Sequence, residues 1–108
     1  MRSIVLGVLL VVSVSAAAAA DDSAAKGQQV FTAQKCSLCH SIAGKGNAKG
    51  SLDGIGGKLK PDEIRMWIVD AKAMTAKTKA TRKPVMKEFA LPKDDVDALV
   101  AYLGSLKK

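Results

Sequence analysis

The sequence predicts an all-α fold, and three observations carry that prediction. The segment Pro61-Asp62-Glu63-Ile64 opens with proline and two acids, the composition of a helix start, and its apolar residues Ile64, Trp67, Ile68 and Ala71 fall at i, i+3, i+4 and i+7. A second helix is expected from about Pro92 to Leu106, where Val96, Leu99, Val100, Leu103 and Leu106 return at helical spacing. Asp94 and Asp95 near its start and Lys107 and Lys108 at its end match the helix dipole. The strand-rich βαβ pattern is absent from the chain.

The first twenty residues read as a secretory signal peptide. Arg2 supplies a positive start, Ile4 to Val14 an apolar middle, and Ala16 to Ala20 an A-x-A exit ahead of Asp21 and Asp22. Cleavage is expected after Ala20, giving residues 1–20 as signal and 21–108 as one domain of 88 residues. A retained anchor fits less well: the apolar part is shorter than the roughly 20 residues a span needs, and acids follow it where a stop signal would place Lys or Arg. A domain this small sits where an ordinary core gives only marginal stability. Something besides side chains is expected to fill its middle.

Residues 36 to 40 read Cys36-Ser37-Leu38-Cys39-His40, the C-x-x-C-H pattern of covalent haem attachment. Two thiols two residues apart on a helical turn reach the two vinyl groups of one porphyrin, and the next residue, His40, then lies under the ring as proximal iron ligand. Three other readings are weaker. Structural zinc takes about four N or S ligands, and the chain offers two Cys and one His in all. A thiol-disulfide active site expects a βαβ setting. A Cys36–Cys39 disulfide would close too short a loop to constrain much.

Because His40 is the sole histidine, the chain cannot supply bis-histidine ligation. The methionines after the signal are Met66, Met74 and Met86. At about 100° per residue, Met66 lies roughly 200° round from Ile64, off the apolar face. Met86 follows Pro84 in a stretch from Lys72 to Phe89 without clear periodicity, and proline fixes φ and removes a donor, which suits a rigid loop presenting one side chain. Met86 is the expected sixth ligand and Met74 the alternative. A methionine filling a core gap is the ordinary fate of the residue.

With these residues the chain resembles the class I cytochrome c family, in particular its small bacterial monohaem members. The resemblance implies a cytochrome c fold in which crossing N- and C-terminal helices and a middle helix wrap one covalently attached haem c. An N-terminal helix from Ser23 to Lys35 would carry Ala24, Gly27, Val30 and Phe31 on one side. It would cross the last helix with Gly27 and Phe31 against Leu99 and Tyr102; close approach of the two helices would explain a glycine that costs about 0.5–1 kcal/mol relative to alanine mid-helix. Relatives often carry Pro-x-Leu in the glycine-rich loop, here Ala43 to Gly57, with the proline carbonyl accepting from the ligating histidine. This chain has Gly50-Ser51-Leu52, which makes the Gly50 carbonyl the candidate acceptor for the ring N–H of the ligating histidine. Otherwise the loop reads as turn chemistry rather than a phosphate cradle, since no strand precedes its glycines in the pattern a phosphate cradle requires. Trp67 is open to two roles, a haem-edge contact or simple core burial.

The expected function is that of an electron-transfer protein and not an enzyme: a one-electron carrier with His/Met axial ligation between periplasmic or membrane redox partners. The alternative is a haem enzyme or gas sensor with a displaceable sixth ligand, and a third possibility is a small subunit of a larger dehydrogenase complex. Without Arg2, 16 basic and 10 acidic side chains remain, a formal +6. Lys72, Lys77, Lys79, Arg82, Lys83 and Lys87 concentrate that surplus beside the expected ligand. Redox partners with acidic docking surfaces are therefore expected. Nucleic acid is not, since no recognition helix or RNA-binding signature is present. A periplasmic monomer without stable membrane insertion completes the expectation.

Overall fold

The computed structural model describes residues 16–108 together with Gly7. The apolar stretch on which the signal-peptide reading rests, Ile4 to Val14, lies outside the described residues apart from that glycine. The chain folds into α1 (Ala16–Ala33), a short hairpin of β1 (Ser41–Ile42) and β2 (Lys45–Gly46), then α2 (Ile55–Lys58), α3 (Pro61–Val69), α4 (Ala71–Thr78) and α5 (Lys93–Gly104). Single 3-10 turns cover Cys36–Leu38 and Ala48–Gly50. Helix dominates and the fold class is all-α. No helix among the described residues is long and apolar enough to cross a membrane.

The core lies where α1, α3 and α5 meet, in a cluster of Val30, Phe31, Ile64, Ile68, Val96, Leu99, Val100 and Leu103. Its centre is the crossing of α1 over α5. Gly27 is buried there, and a Cβ on it would overlap the Ala98 carbonyl and the Tyr102 Cβ. A bare backbone thus lets the two helices close to contact distance. One turn on, Phe31 meets Tyr102 edge to face, with ring centroids 6.0 Å apart and planes at 70°, a geometry aromatic pairs favour. The expected partner Leu99 is in the same core. Around this crossing run exposed ion pairs, Lys26 to Asp95 at 3.5 Å, and Arg65 (2.6 Å) and Lys93 (3.0 Å) to Asp97. Hydrogen bonds from Lys93 and Arg65 hold the Asp97 carboxyl below its usual range; exposed pairs of this kind add little stability.

α3 begins as its sequence implies. Pro61 occupies the first turn, and the Glu63 Oε1 accepts from the Lys60 N–H at 3.0 Å, satisfying a donor the helix leaves open. Of the predicted apolar face, Ile64, Ile68 and Ala71 are buried and Trp67 is partly so, while Met66 is exposed at 38%. The helix stops at Val69, two residues short of Ala71, because Asp70 leaves helical geometry and starts α4, its carboxylate accepting from the Ala73 N–H at 3.4 Å.

Three expectations are corrected. The stretch after α3 is not irregular from Lys72 onward, because α4 occupies its first part. That helix is built from alanine and lysine, good helix formers, and buries only Ala71 and Met74, which leaves a faint period in the sequence. α1 is longer than Ser23 to Lys35 at its start and ends two residues earlier, because Lys35 takes a left-handed conformation, φ 56°. A small sheet straddles the start of the glycine-rich loop, with register Ser41 to Gly46 and Ile42 to Lys45. Ala43 and Gly44, both at positive φ, make the two-residue turn such a hairpin favours.

Candidate haem-attachment site

The Cys36 to His40 segment forms one tight turn set off from α1 by the left-handed Lys35. The Cys36 carbonyl accepts from the N–H groups of Cys39 (3.1 Å) and His40 (2.9 Å). The remaining four carbonyls are held from outside the turn. Asn47 N–H donates to Ser37 at 3.1 Å and His40 at 3.0 Å, and its side-chain amide donates to Leu38 at 3.2 Å. Arg82 Nη2 donates to Cys39 at 2.6 Å. The backbone that carries both thiols and the imidazole is therefore fixed by two residues far from it in sequence. Gly46 permits the Asn47 contact: at φ 107° it brings the chain against the His40 carbonyl, where no side chain fits.

His40 Nδ1 donates to the Gly50 carbonyl at 2.9 Å. A carbonyl only accepts, so the proton must be on Nδ1 and the lone pair on Nε2, the tautomer a metal-ligating histidine shows when its other nitrogen is tied to the protein. Burial lowers the His40 pKa; the Gly50 bond raises it and the Arg82 charge lowers it further. The neutral imidazole, the form that ligates metal, is the one favoured. Gly50 itself is held in the 3-10 turn by its N–H bond to the Asn47 carbonyl (3.1 Å). Burial pushes the Cys36 thiol up, against its own backbone hydrogen bond and the Lys87 charge, which pull it down.

The three methionines differ sharply in setting. Met74 is 6% exposed inside α4, and Met66 lies on the outer side of α3. Met86 is partly buried on the irregular segment between α4 and α5, lining an open groove of about 510 Å³ with Lys72, Thr75, Ala76, Val85, Lys87 and Glu88. That groove contains no residue of the Cys36–His40 turn. The Arg82 bond to the Cys39 carbonyl connects its segment to the turn, and the Lys87 charge pulls the Cys36 thiol pKa down.

This donor set fits a covalently held haem. Two thiols and a neutral imidazole with a free Nε2 stand on one immobilised turn, and a thioether is available on a neighbouring loop. Packed against the core but only partly buried are Cys36, Ile42, Leu52, Ile55, Leu59, Phe89 and Leu91, apolar surface of the kind a porphyrin face would cover. Among the described residues no large side chain is fully buried.

Sequence reasoning found the thiols, the imidazole and the Gly50 carbonyl. It missed Asn47 as a holder of the turn, and it placed Arg82 only among a crowd of basic residues. Neither contact has a sequence signal, since one closes across 9 residues and the other across 43.

Comparison with known proteins agrees with this geometry. The chain is 32% identical over 91 residues to cytochrome c oxidase subunit 2 of Alkalihalophilus pseudofirmus, an alignment covering 76% of this chain and 25% of that protein. The chain thus spans about a quarter of the curated relative it matches. No solved structure matches it. The family model for cytochrome c matches residues 24–107, from within α1 to beyond the end of α5, and the chain belongs to the cytochrome c family, whose chemistry is haem-based electron transfer.

Proposed function

We propose that the protein is a one-electron carrier whose haem c is attached through Cys36 and Cys39, with His40 Nε2 and Met86 as the axial ligands. The observation that carries the reading is the His40 Nδ1 bond to Gly50, which fixes the imidazole in its ligating tautomer on a turn whose every carbonyl is occupied. When bound, the haem supplies a reversible one-electron Fe(III)/Fe(II) couple. The chain's own part is to orient Nε2, to hold the thiols at fixed spacing, and to cover the haem faces with apolar side chains that keep water away. Such coverage favours the reduced, less charged state of the iron. Filling both axial positions leaves no place for a substrate on iron.

The remaining parts of the proposal concern setting and partners. Lys72, Lys77, Lys79, Arg82, Lys83 and Lys87 are all exposed, and a positive rim of this kind draws an acidic partner into a short-lived complex. The likeness to part of an oxidase subunit supports an oxidase as one class of electron acceptor. The domain acts as a periplasmic monomer after signal cleavage. A displaceable sixth ligand, and with it an enzyme or gas sensor, is the second reading; its support is that no backbone–backbone hydrogen bond involves residues 81–88 among the described residues.

One stopped-flow experiment separates these readings. Oxidation of the reduced protein by an acidic redox protein is expected to slow several-fold as ionic strength rises from about 0.01 to 0.15 M, where the screening length shrinks from about 30 to 8 Å, and to be indifferent to carbon monoxide. A salt-independent rate would remove the charged docking face. Inhibition by carbon monoxide would replace the carrier with the open-site reading.

A further inference from the structure

We propose that Arg82 is a positioning residue that ties the Met86 loop to the haem-attachment turn, so that retention of the methionine on iron depends on a guanidinium-to-carbonyl clamp. The inference rests on Met86 being the sixth ligand.

The loop has few restraints of its own. Among the described residues, backbone–backbone hydrogen bonds stop at Ala80, whose N–H reaches the Thr75 carbonyl at 3.1 Å, and resume at Phe89, whose N–H reaches the Ile68 carbonyl at 3.0 Å. Between these points two side chains fasten it. Glu88 Oε1 accepts from the Lys72 N–H at 3.3 Å and pins the far end to α4. Arg82 pins the near end, four residues before Met86, through its 2.6 Å bond to the Cys39 carbonyl. The guanidinium also lies against Gly50, so closely that a Cβ there would strike Nη1 and come within 2.9 Å of Cζ. Gly50 is the residue whose carbonyl holds His40. One side chain therefore touches the loop of the sixth ligand, the peptide between Cys39 and His40, and the strap that orients His40.

Arginine suits this place better than lysine. Its planar group lies against a bare glycine while one nitrogen donates to the carbonyl, and an ammonium offers a point charge without that plane. A loop held by two side-chain bonds opens more often when one is removed. An external ligand that binds only the open form gains apparent affinity in proportion to the open fraction.

The test uses the haem-loaded protein and imidazole as the probe. Arg82→Gln is expected to keep the far-red methionine–iron absorption band yet bind imidazole in the ferric state about three- to tenfold more tightly, the range that the typical net contribution of one hydrogen bond gives. Faster amide exchange across residues 80–88 should accompany it, and Arg82→Lys should fall between. If Arg82→Gln does not accumulate with haem, Arg82→Lys carries the same test with a smaller expected change. Wild-type imidazole affinity and wild-type exchange, in a background where Met86→Ala abolishes the band, would overturn the role of Arg82 alone. Persistence of the band in Met86→Ala would overturn the ligand reading and this inference with it.

Discussion

A chain carrying both Cys36→Ala and Cys39→Ala is expected to lose haem and most of its native helical structure together. Among the described residues the core cluster is eight side chains drawn from α1, α3 and α5, and it is thin for the length of chain it must hold. Hydrophobic burial has to outweigh roughly 1–2 kcal/mol of backbone entropy per ordered residue, and domains of this size stand close to that balance. Further apolar side chains, among them Ile42, Leu52, Leu59, Phe89 and Leu91, pack on the core with one side open. Bound haem would bury that open side and so act as part of the core, its binding energy counting toward folding as for other groups that bind only the native state. Far-ultraviolet circular dichroism checks this. More than about half of the 222 nm signal should vanish in the haem-free variant, in keeping with the marginal burial of a small domain. A native-like spectrum without haem would show that the polypeptide core suffices.

Met86→Ala is expected to lower the reduction potential by an amount on the order of 100 mV or more, since axial ligands tune haem iron over several hundred millivolts and methionine stabilises the ferrous state. Met74→Ala should leave the potential nearly unchanged and reduce stability instead. The environments explain the contrast. Met74 is 6% exposed within a regular helix, where removing its side chain leaves a cavity costing about 2–5 kcal/mol. Met86 is on a loop whose two ends are fastened and whose middle has no backbone–backbone hydrogen bonds among the described residues, so a bound iron, rather than packing, would set the side chain. Voltammetry with thermal unfolding on both variants separates the two effects. The opposite ordering of potentials would transfer the ligand role to Met74.

Much of this protein is legible in its sequence because the signals are local. Helices α3 and α5 show themselves through apolar residues at helical spacing, and the haem motif through five consecutive residues. Gly27 was readable for a less local reason: a glycine inside a helix costs stability, so it must serve a close approach, and the Ala98 carbonyl and Tyr102 Cβ are what it approaches. The Gly50 carbonyl could be named because a backbone acceptor survives the loss of the family's proline. What escaped was structure whose cause is distributed. α4 buries two residues in eight, too few to impress a period, although Asp70 at its start was a cap in plain view. The hairpin needed positive φ at Ala43 as well as Gly44, and alanine does not advertise that conformation. Asn47 and Arg82 do their work on carbonyls of the haem turn, and carbonyls leave no mark in a sequence.

Covalent attachment of one haem, with His40 and Met86 as the residues that would hold its iron, can be read from the visible absorption spectrum of the purified protein, oxidised and then reduced. A low-spin spectrum is expected in both states, with the weak far-red band of a methionine sulfur on ferric iron in the oxidised state. A high-spin spectrum, or one that shifts promptly when carbon monoxide meets the reduced protein, would contradict it and leave the sixth position open.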